Sequence, residues 1–305
     1  MRIVVNGQQA FGKAVLEALL ERREDVVAVY CAPDKPGGRI DPLKEEALAH
    51  GIPVYQPASF KGPEVLDEFK ALAPDLGVMA YVVLLVPEPI LEAPTYGTIQ
   101  YHPSLLPKHR GPSSINWPII QGETRTGLSI FWPDKGLDTG PILLQKEVEI
   151  GPDDTLGSVY FDHLFPKGVA AMLEAVDLVK AGAAPKVAQD ESQATYEGWC
   201  RREHVEIDWS RPVDEVYNLI RGANPQPGAW TRHRGKTLQI FDASRLPAAG
   251  DARPGEVTEA GAEGIAIAAK GGSILAQRLR PEGEQKVSAA DYVAAGGVEA
   301  GAVLG

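Results

Sequence analysis

Val4-Val5-Asn6-Gly7, an apolar-periodic stretch over residues 10–20, and Val26-Val27-Ala28-Val29-Tyr30 follow one another at the start of the chain. They read as strand, helix and strand, the opening of a parallel α/β sheet. Both strand runs are short and continuously apolar, as strands covered by helices on two faces must be. Outward from there the spacing predicts a helix over 42–50, a short strand at Val54, a helix over 63–72 and a strand over 76–80. The apolar run 82–86 stops at Pro87, which predicts a loop and a short helix. Residues 97–100 supply the next strand.

A second block holds Leu128-Ser129-Ile130-Phe131-Trp132 and Ile142-Leu143-Leu144 as strands around a Gly/Asp/Pro turn, then a long helix over 154–180. The fold class expected is α/β: a doubly wound, mostly parallel Rossmann-like sheet over residues 1–180. Small and polar residues with Pro185 suit a linker over 181–203. Beyond it come a helix near 213–221 and short β-like runs at 237–241, 255–258, 264–268 and 273–279. Such spacing, with Gly-rich turns, predicts a small β-barrel over 204–305.

Length and composition agree with one large and one small domain: 305 residues, 44% hydrophobic and 23% charged. The apolar run at the start is too short for a signal peptide, and no stretch approaches the ~18 apolar residues of a membrane span. A cytoplasmic location and no membrane partner are expected. The two cysteines, Cys31 and Cys200, have neither CxxC spacing nor a disulfide framework around them. A net charge of −11 offers no diffuse attraction to phosphate backbones. DNA is therefore not expected as a partner.

The turn after the first strand, Gly7-Gln8-Gln9-Ala10-Phe11-Gly12, invites a dinucleotide-binding reading with Asp34 as ribose acceptor. It lacks the second glycine that lets a pyrophosphate approach the backbone. A structural βα turn is the better reading, and no nicotinamide cofactor is expected.

The densest run of chemically capable residues is Gln100-Tyr101-His102-Pro103-Ser104-Leu105-Leu106-Pro107-Lys108-His109-Arg110-Gly111-Pro112. It follows a strand, and ligands of open α/β sheets bind beyond the carboxyl ends of strands. Gly136-Leu137-Asp138-Thr139-Gly140 lies between two later strands. Its aspartate either caps its own turn or reaches into a cleft. A histidine beside a carboxylate can hold one tautomer and move a proton near neutrality, so a contact between His102 and Asp138 is the expectation that matters most. No metal site is expected.

These segments, with Arg221-Gly222 and Pro227-Gly228-Ala229-Trp230, resemble the folate-dependent formyltransferases along nearly the whole chain. Ile115-Asn116-Trp117, Ser129-Ile130-Phe131-Trp132, Leu144-Gln145-Lys146-Glu147 and Ala194-Thr195-Tyr196-Glu197-Gly198 look most like the hydrolase domain of 10-formyltetrahydrofolate dehydrogenase. The likeness to methionyl-tRNA formyltransferase is thinner. The resemblance implies 10-formyltetrahydrofolate as formyl donor and His102 and Asp138 as the catalytic pair. It also implies a folate pocket formed by Val83, Leu84 and Leu85, the loop Ser104, Leu105, Leu106 and Pro107, and Leu137 to Thr139. The reaction implied is attack on the formyl carbon by an amine or by water.

Two departures bear on the acceptor. Transferases of the family carry Asn two residues before the histidine and the dehydrogenase an apolar residue; Gln100 stands here, an amide donor one methylene longer. Segment 34–46 sets Lys35, Arg39 and Lys44 against Asp34, Asp41, Glu45 and Glu46, a balance that disfavours tRNA. The dehydrogenase's carrier and oxidising domains do not fit in this length. The alternatives carried forward are a methionyl-tRNA or amino-sugar-nucleotide formyltransferase and, from another class, a folate-binding regulatory module.

Overall fold

The computed structural model describes all 305 residues. In chain order its elements begin β1 (Arg2–Gly7), α1 (Gln9–Glu21), β2 (Asp25–Tyr30), α2 (Pro42–Ala49), β3 (Val54–Tyr55), α3 (Pro63–Ala71), β4 (Leu76–Ala80), α4 (Glu88–Leu91) and β5 (Thr98–His102). Next come α5 (Asn116–Ile120), β6 (Arg125–Phe131), β7 (Ile142–Glu149), α6 (Leu156–Ser158), a π-helical stretch (Val159–Leu164) and α7 (Phe165–Lys180). The last part holds α8 (Val213–Gly222), β8 (Ala229–His233), β9 (Lys236–Ile240), β10 (Ala243–Leu246), β11 (Val257–Gly261), β12 (Gly264–Ala269), β13 (Gly272–Ala276), β14 (Arg278–Pro281), β15 (Val287–Ser288) and α9 (Ala289–Ala294).

The chain divides into two compact units. The first is Met1–Gly111, Gly127–Val148 and His163–Tyr196; the second is Pro112–Thr126, Glu149–Asp162 and Glu197–Gly305. This differs from the expected division at 180 and 203 in two ways. Short excursions at 112–126 and 149–162 belong to the second unit, and the expected linker is bonded into the first as far as Tyr196. Short local patterns cannot reveal such excursions, because they are defined by what the segments pack against.

The first unit is built on a seven-stranded sheet of order β3-β2-β1-β4-β5-β6-β7. The pairs β1–β2, β1–β4, β2–β3 and β4–β5 are parallel, and β5–β6 is antiparallel. All of β4 and all of β1 after Arg2 are buried, which is why they read as unbroken apolar runs. Helix α1 buries Phe11, Val15, Leu16 and Leu19 on one stripe. Strand order reverses between β1 and β4, so the open crevice lies beyond their carboxyl ends; Asn6, Gln8, Cys31, Phe60, Val83 and Leu84 line it.

The glycine turn has a packing role. A Cβ on Gly7 would stand 2.2 Å from the Ala80 carbonyl oxygen, so this residue lets β1 and β4 approach. Asp34, the acid placed to meet a ribose, is instead bonded to Lys44 and Gln56. The long helix expected over 154–180 runs without a break from Leu156 to Lys180, but widens to a π-helical stretch over Val159–Leu164 just before Pro166, which has no backbone N–H to donate to the preceding turn.

The second unit carries the expected small β structure as two four-stranded antiparallel sheets, β10-β13-β12-β11 and β15-β14-β9-β8. The run expected over 273–279 is two strands, β13 and β14, one in each sheet. Ile265, Ile267 and Ile274 of one sheet share a core with Trp230, Leu238 and Ile240 of the other and with Val216, Tyr217 and Ile220 of α8. The Arg221-Gly222 segment ties this unit internally. Arg221 Nη1 donates to the Gly151 and Asp154 carbonyls at 3.2 and 3.0 Å, and Asn116 Nδ2 donates to Gly222 and Gln226 carbonyls at 2.9 and 3.0 Å. No helix is long and apolar enough to cross a membrane.

Candidate active site

His102 is the last residue of β5, one position beyond where the apolar pattern of that strand fades. The period of two puts Gln100 and His102 on one face of the strand. Gln100 lies opposite Met79 of β4 and Phe131 of β6, and His102 lies opposite Ser129. Asp138 stands between β6 and β7 with φ 56°, the left-handed region an aspartate tolerates better than most side chains. His102 and Asp138 are each 6% exposed.

Their geometry fixes the protons. His102 Nε2 lies 2.8 Å from the His109 carbonyl oxygen, which only accepts, so Nε2 carries a hydrogen and donates it. Nδ1 then faces Asp138 Oδ2 at 3.6 Å. In the neutral imidazole two acceptors therefore oppose each other, too far apart for a hydrogen bond. The same Oδ2 accepts from the Gly111 N–H at 2.8 Å.

The loop after His102 is folded on itself. Ser104 Oγ donates to the Lys108 carbonyl at 2.6 Å, and the Ser104 carbonyl accepts from Ser129 Oγ at 2.7 Å. Ser129 Oγ also accepts from the Leu106 N–H at 3.1 Å and from Gln145 Nε2 at 2.9 Å. Ser104 and Leu106 are thus buried within the loop they shape, whereas Leu105 and Pro107 are half-buried. The remaining folate-pocket candidates are apolar side chains left open: Val83 at 55%, Leu85 at 70% and Leu137 at 53% exposed. Leu84 is half-buried in the crevice beyond β1. Thr139 Oγ1 donates to Asp134 Oδ1 at 2.6 Å and holds the turn before Asp138.

What the sequence reading passed over lies in residues 185–196. Pro185 accepts from Trp132 Nε1 at 2.9 Å, and Val187 exchanges two backbone bonds with Ile142. Gln189 bonds Arg110 and the carbonyls of Asp138 and Gly140, Glu191 pairs with Arg110, and Thr195 accepts from the His109 N–H at 2.8 Å. One signal for this was present: the Ala194-to-Gly198 run carried part of the family resemblance, which a mere spacer has no reason to do.

Comparison with known proteins bears on the family and the fold. The formyl transferase family pattern matches residues 1–176, and that of the formyl transferase C-terminal domain matches 200–296. The cytosolic 10-formyltetrahydrofolate dehydrogenase of Homo sapiens is 42% identical over 277 residues, 86% of this chain and 31% of that protein. This chain therefore spans about a third of the length of that relative. The methionyl-tRNA formyltransferase of Geotalea uraniireducens is 40% identical over 310 residues, covering 100% of this chain and 98% of that protein. Two solved structures share the fold. HypX from Aquifex aeolicus, in complex with tetrahydrofolic acid, has a TM-score of 0.69 at 20% identity over 96% of this chain and 47% of HypX. An N-formyltransferase from Helicobacter canadensis, with folinic acid and dTDP-3-aminofucose, scores 0.66 at 18% identity over 90% and 98%. With both of its characteristic domains matched and a full-length relative at 40% identity, the chain belongs to the formyl transferase family of enzymes.

Proposed function

We propose that this protein releases the formyl group of 10-formyltetrahydrofolate to water or to a small amine, with His102, Asp138 and Gln100 as its catalytic residues. The observation that carries the reading is the buried pair itself, with Nε2 committed to a carbonyl and Nδ1 opposed to a carboxylate across 3.6 Å. In hydrolysis, a water oxygen bonds to the formyl carbon and gives its proton to the gap between His102 Nδ1 and the Asp138 carboxylate. The formyl oxygen takes up the negative charge. The C–N10 bond then breaks, the proton passes to N10, and tetrahydrofolate leaves with formic acid, which gives its remaining proton to solvent as formate. Asp138 stabilises the imidazolium in between.

Gln100 supplies the oxyanion donor in this scheme. Its amide is half-buried at the end of β5, beside His102, and forms no hydrogen bond within the chain. A donor of that kind is held ready for charge that appears only during reaction. The exposed Val83, Leu85 and Leu137 suit a pterin, which needs apolar contact with backbone groups nearby.

A tRNA acceptor has less support. In segment 34–46, Lys44 is engaged by Asp34 and Gln56, leaving Lys35 and Arg39 against an excess of carboxylates. Full-length similarity to a methionyl-tRNA formyltransferase keeps that acceptor as the second reading. The test is incubation with 10-formyltetrahydrofolate alone, following tetrahydrofolate. Release without acceptor that His102→Ala and Asp138→Ala both abolish supports hydrolysis. Binding without release directs the assay to methionyl-tRNA and amino-sugar nucleotides, and absence of binding refutes the folate reading.

A further inference from the structure

We infer that Gln189 is a positioning residue that sets Asp138 against His102, holding both halves of the pair through one amide. The inference rests on the reaction assigned above to that pair. Gln189 Nε2 donates to the Asp138 carbonyl at 2.9 Å and to the Gly140 carbonyl at 2.7 Å. Its Oε1 accepts from Arg110 Nε at 3.1 Å and Nη2 at 2.8 Å. Every hydrogen-bonding position of the amide is filled, and only one orientation works: the oxygen must face the guanidinium and the nitrogen the carbonyls.

Each end of this bridge is next to a catalytic group. Arg110 follows His109, whose carbonyl fixes His102 Nε2, and precedes Gly111, whose N–H holds Asp138 Oδ2. At the other end the amide spans the carbonyls on both sides of Thr139, where Asp138 sits at φ 56°. A non-glycine residue in that region keeps its conformation only if its surroundings over-determine it. Gln189 supplies that restraint from outside the turn. The rest of the 185–196 segment anchors the amide: Val187 is paired with Ile142, Glu191 grips the far side of Arg110 at 2.6 and 2.9 Å, and Thr195 accepts the His109 N–H on its hydroxyl and the Arg110 N–H on its carbonyl.

Gln189→Glu keeps the shape and the acceptor for Arg110 but turns a carboxylate oxygen toward two carbonyls, so it breaks the grip on Asp138 alone. Gln189→Ala removes both contacts, and Gln193→Ala, which loses only a bond to Asp190, serves as control. The full-length variants are compared for kcat and KM toward 10-formyltetrahydrofolate, for the pH profile of kcat, for Tm, and for the His102 ring resonances in 15N-histidine-labelled protein. Misplacing a catalytic group by about 1 Å costs up to ~10²-fold in rate. The expected result is a 10- to 100-fold fall (order of magnitude) in kcat for Glu and Ala alike, with KM changed by less than about threefold. The pH midpoint and the His102 resonances move in both, and Gln193→Ala matches the parent.

Three results overturn the inference: kcat restored in Gln189→Glu, a loss of kcat that simply follows Tm across the series, or His102 resonances unmoved in both variants. His102→Ala is measured alongside. If it retains full activity, the reaction assigned to the pair is wrong, whereas the resonances still decide whether Gln189 sets the geometry.

Discussion

Replacing Asp138 by Asn isolates the charge of the carboxylate proposed as catalytic from its shape. The amide oxygen of Asn still accepts from the Gly111 N–H, now at 2.8 Å from Oδ2, so the turn is kept. What disappears is attraction between a carboxylate and the imidazolium that the proposed reaction forms at His102, across 3.6 Å between two side chains almost out of contact with water. With an effective dielectric of ~20, unit charges at about 4 Å attract by ~4 kcal/mol. That attraction exists only while His102 carries the extra proton, so its loss falls on the transition state and appears in kcat. At about 1.4 kcal/mol per decade the expected fall is roughly 10³-fold. The assay is tetrahydrofolate production at saturating 10-formyltetrahydrofolate, with KM measured beside it and expected to change by less than about threefold. A variant with kcat within tenfold of the parent would show that no imidazolium forms beside Asp138, and the proton path would have to be redrawn.

Gln100→Leu removes the free amide donor and should lower kcat by ~10²–10³ with Tm little changed, as loss of an oxyanion donor does; equal kcat would remove Gln100 from the site. Ser129→Ala strips a buried hydroxyl of one bond given and two accepted, and urea unfolding should show a loss of roughly 1–3 kcal/mol. Burial pushes the thiols of Cys31 and Cys200 up to about 11. Both should resist alkylation at pH 8 until the chain is unfolded. The unfolded thiols ionise first as pH rises, so this term reduces stability between about 9 and 11, a decline that Cys31→Ala and Cys200→Ala should each lessen.

The fold was legible wherever burial on both faces left a continuous apolar strand, as in Val26 to Tyr30 and Leu76 to Ala80, because pattern and environment there have the same cause. The pair was legible for a different reason: a histidine at the end of a strand and an aspartate in a tight turn are unusual enough in combination to mark a family. Residues 112–126 and 149–162 cluster with the second unit, a grouping the sequence could not display because nothing local distinguishes a short segment by its packing partner. The π-helical stretch before Pro166 was not legible because the apolar period runs on through it, although proline removes a donor that the helix needs.

Gln189 was invisible for a more instructive reason. Its role depends on two carbonyls near residue 139 and a guanidinium at residue 110, none of which has a sequence pattern, and a polar stretch between two domains satisfies every compositional criterion for a spacer. Yet a flexible spacer could not keep Asp138 in the left-handed region, and a turn held only by its own Asp134–Thr139 contact leaves the carboxylate's distance to His102 unset. Chemistry that depends on a 3.6 Å gap therefore requires restraint from outside the turn. The Gly111 N–H holds the carboxylate itself, and the segment that reads as connection holds the backbone that carries it.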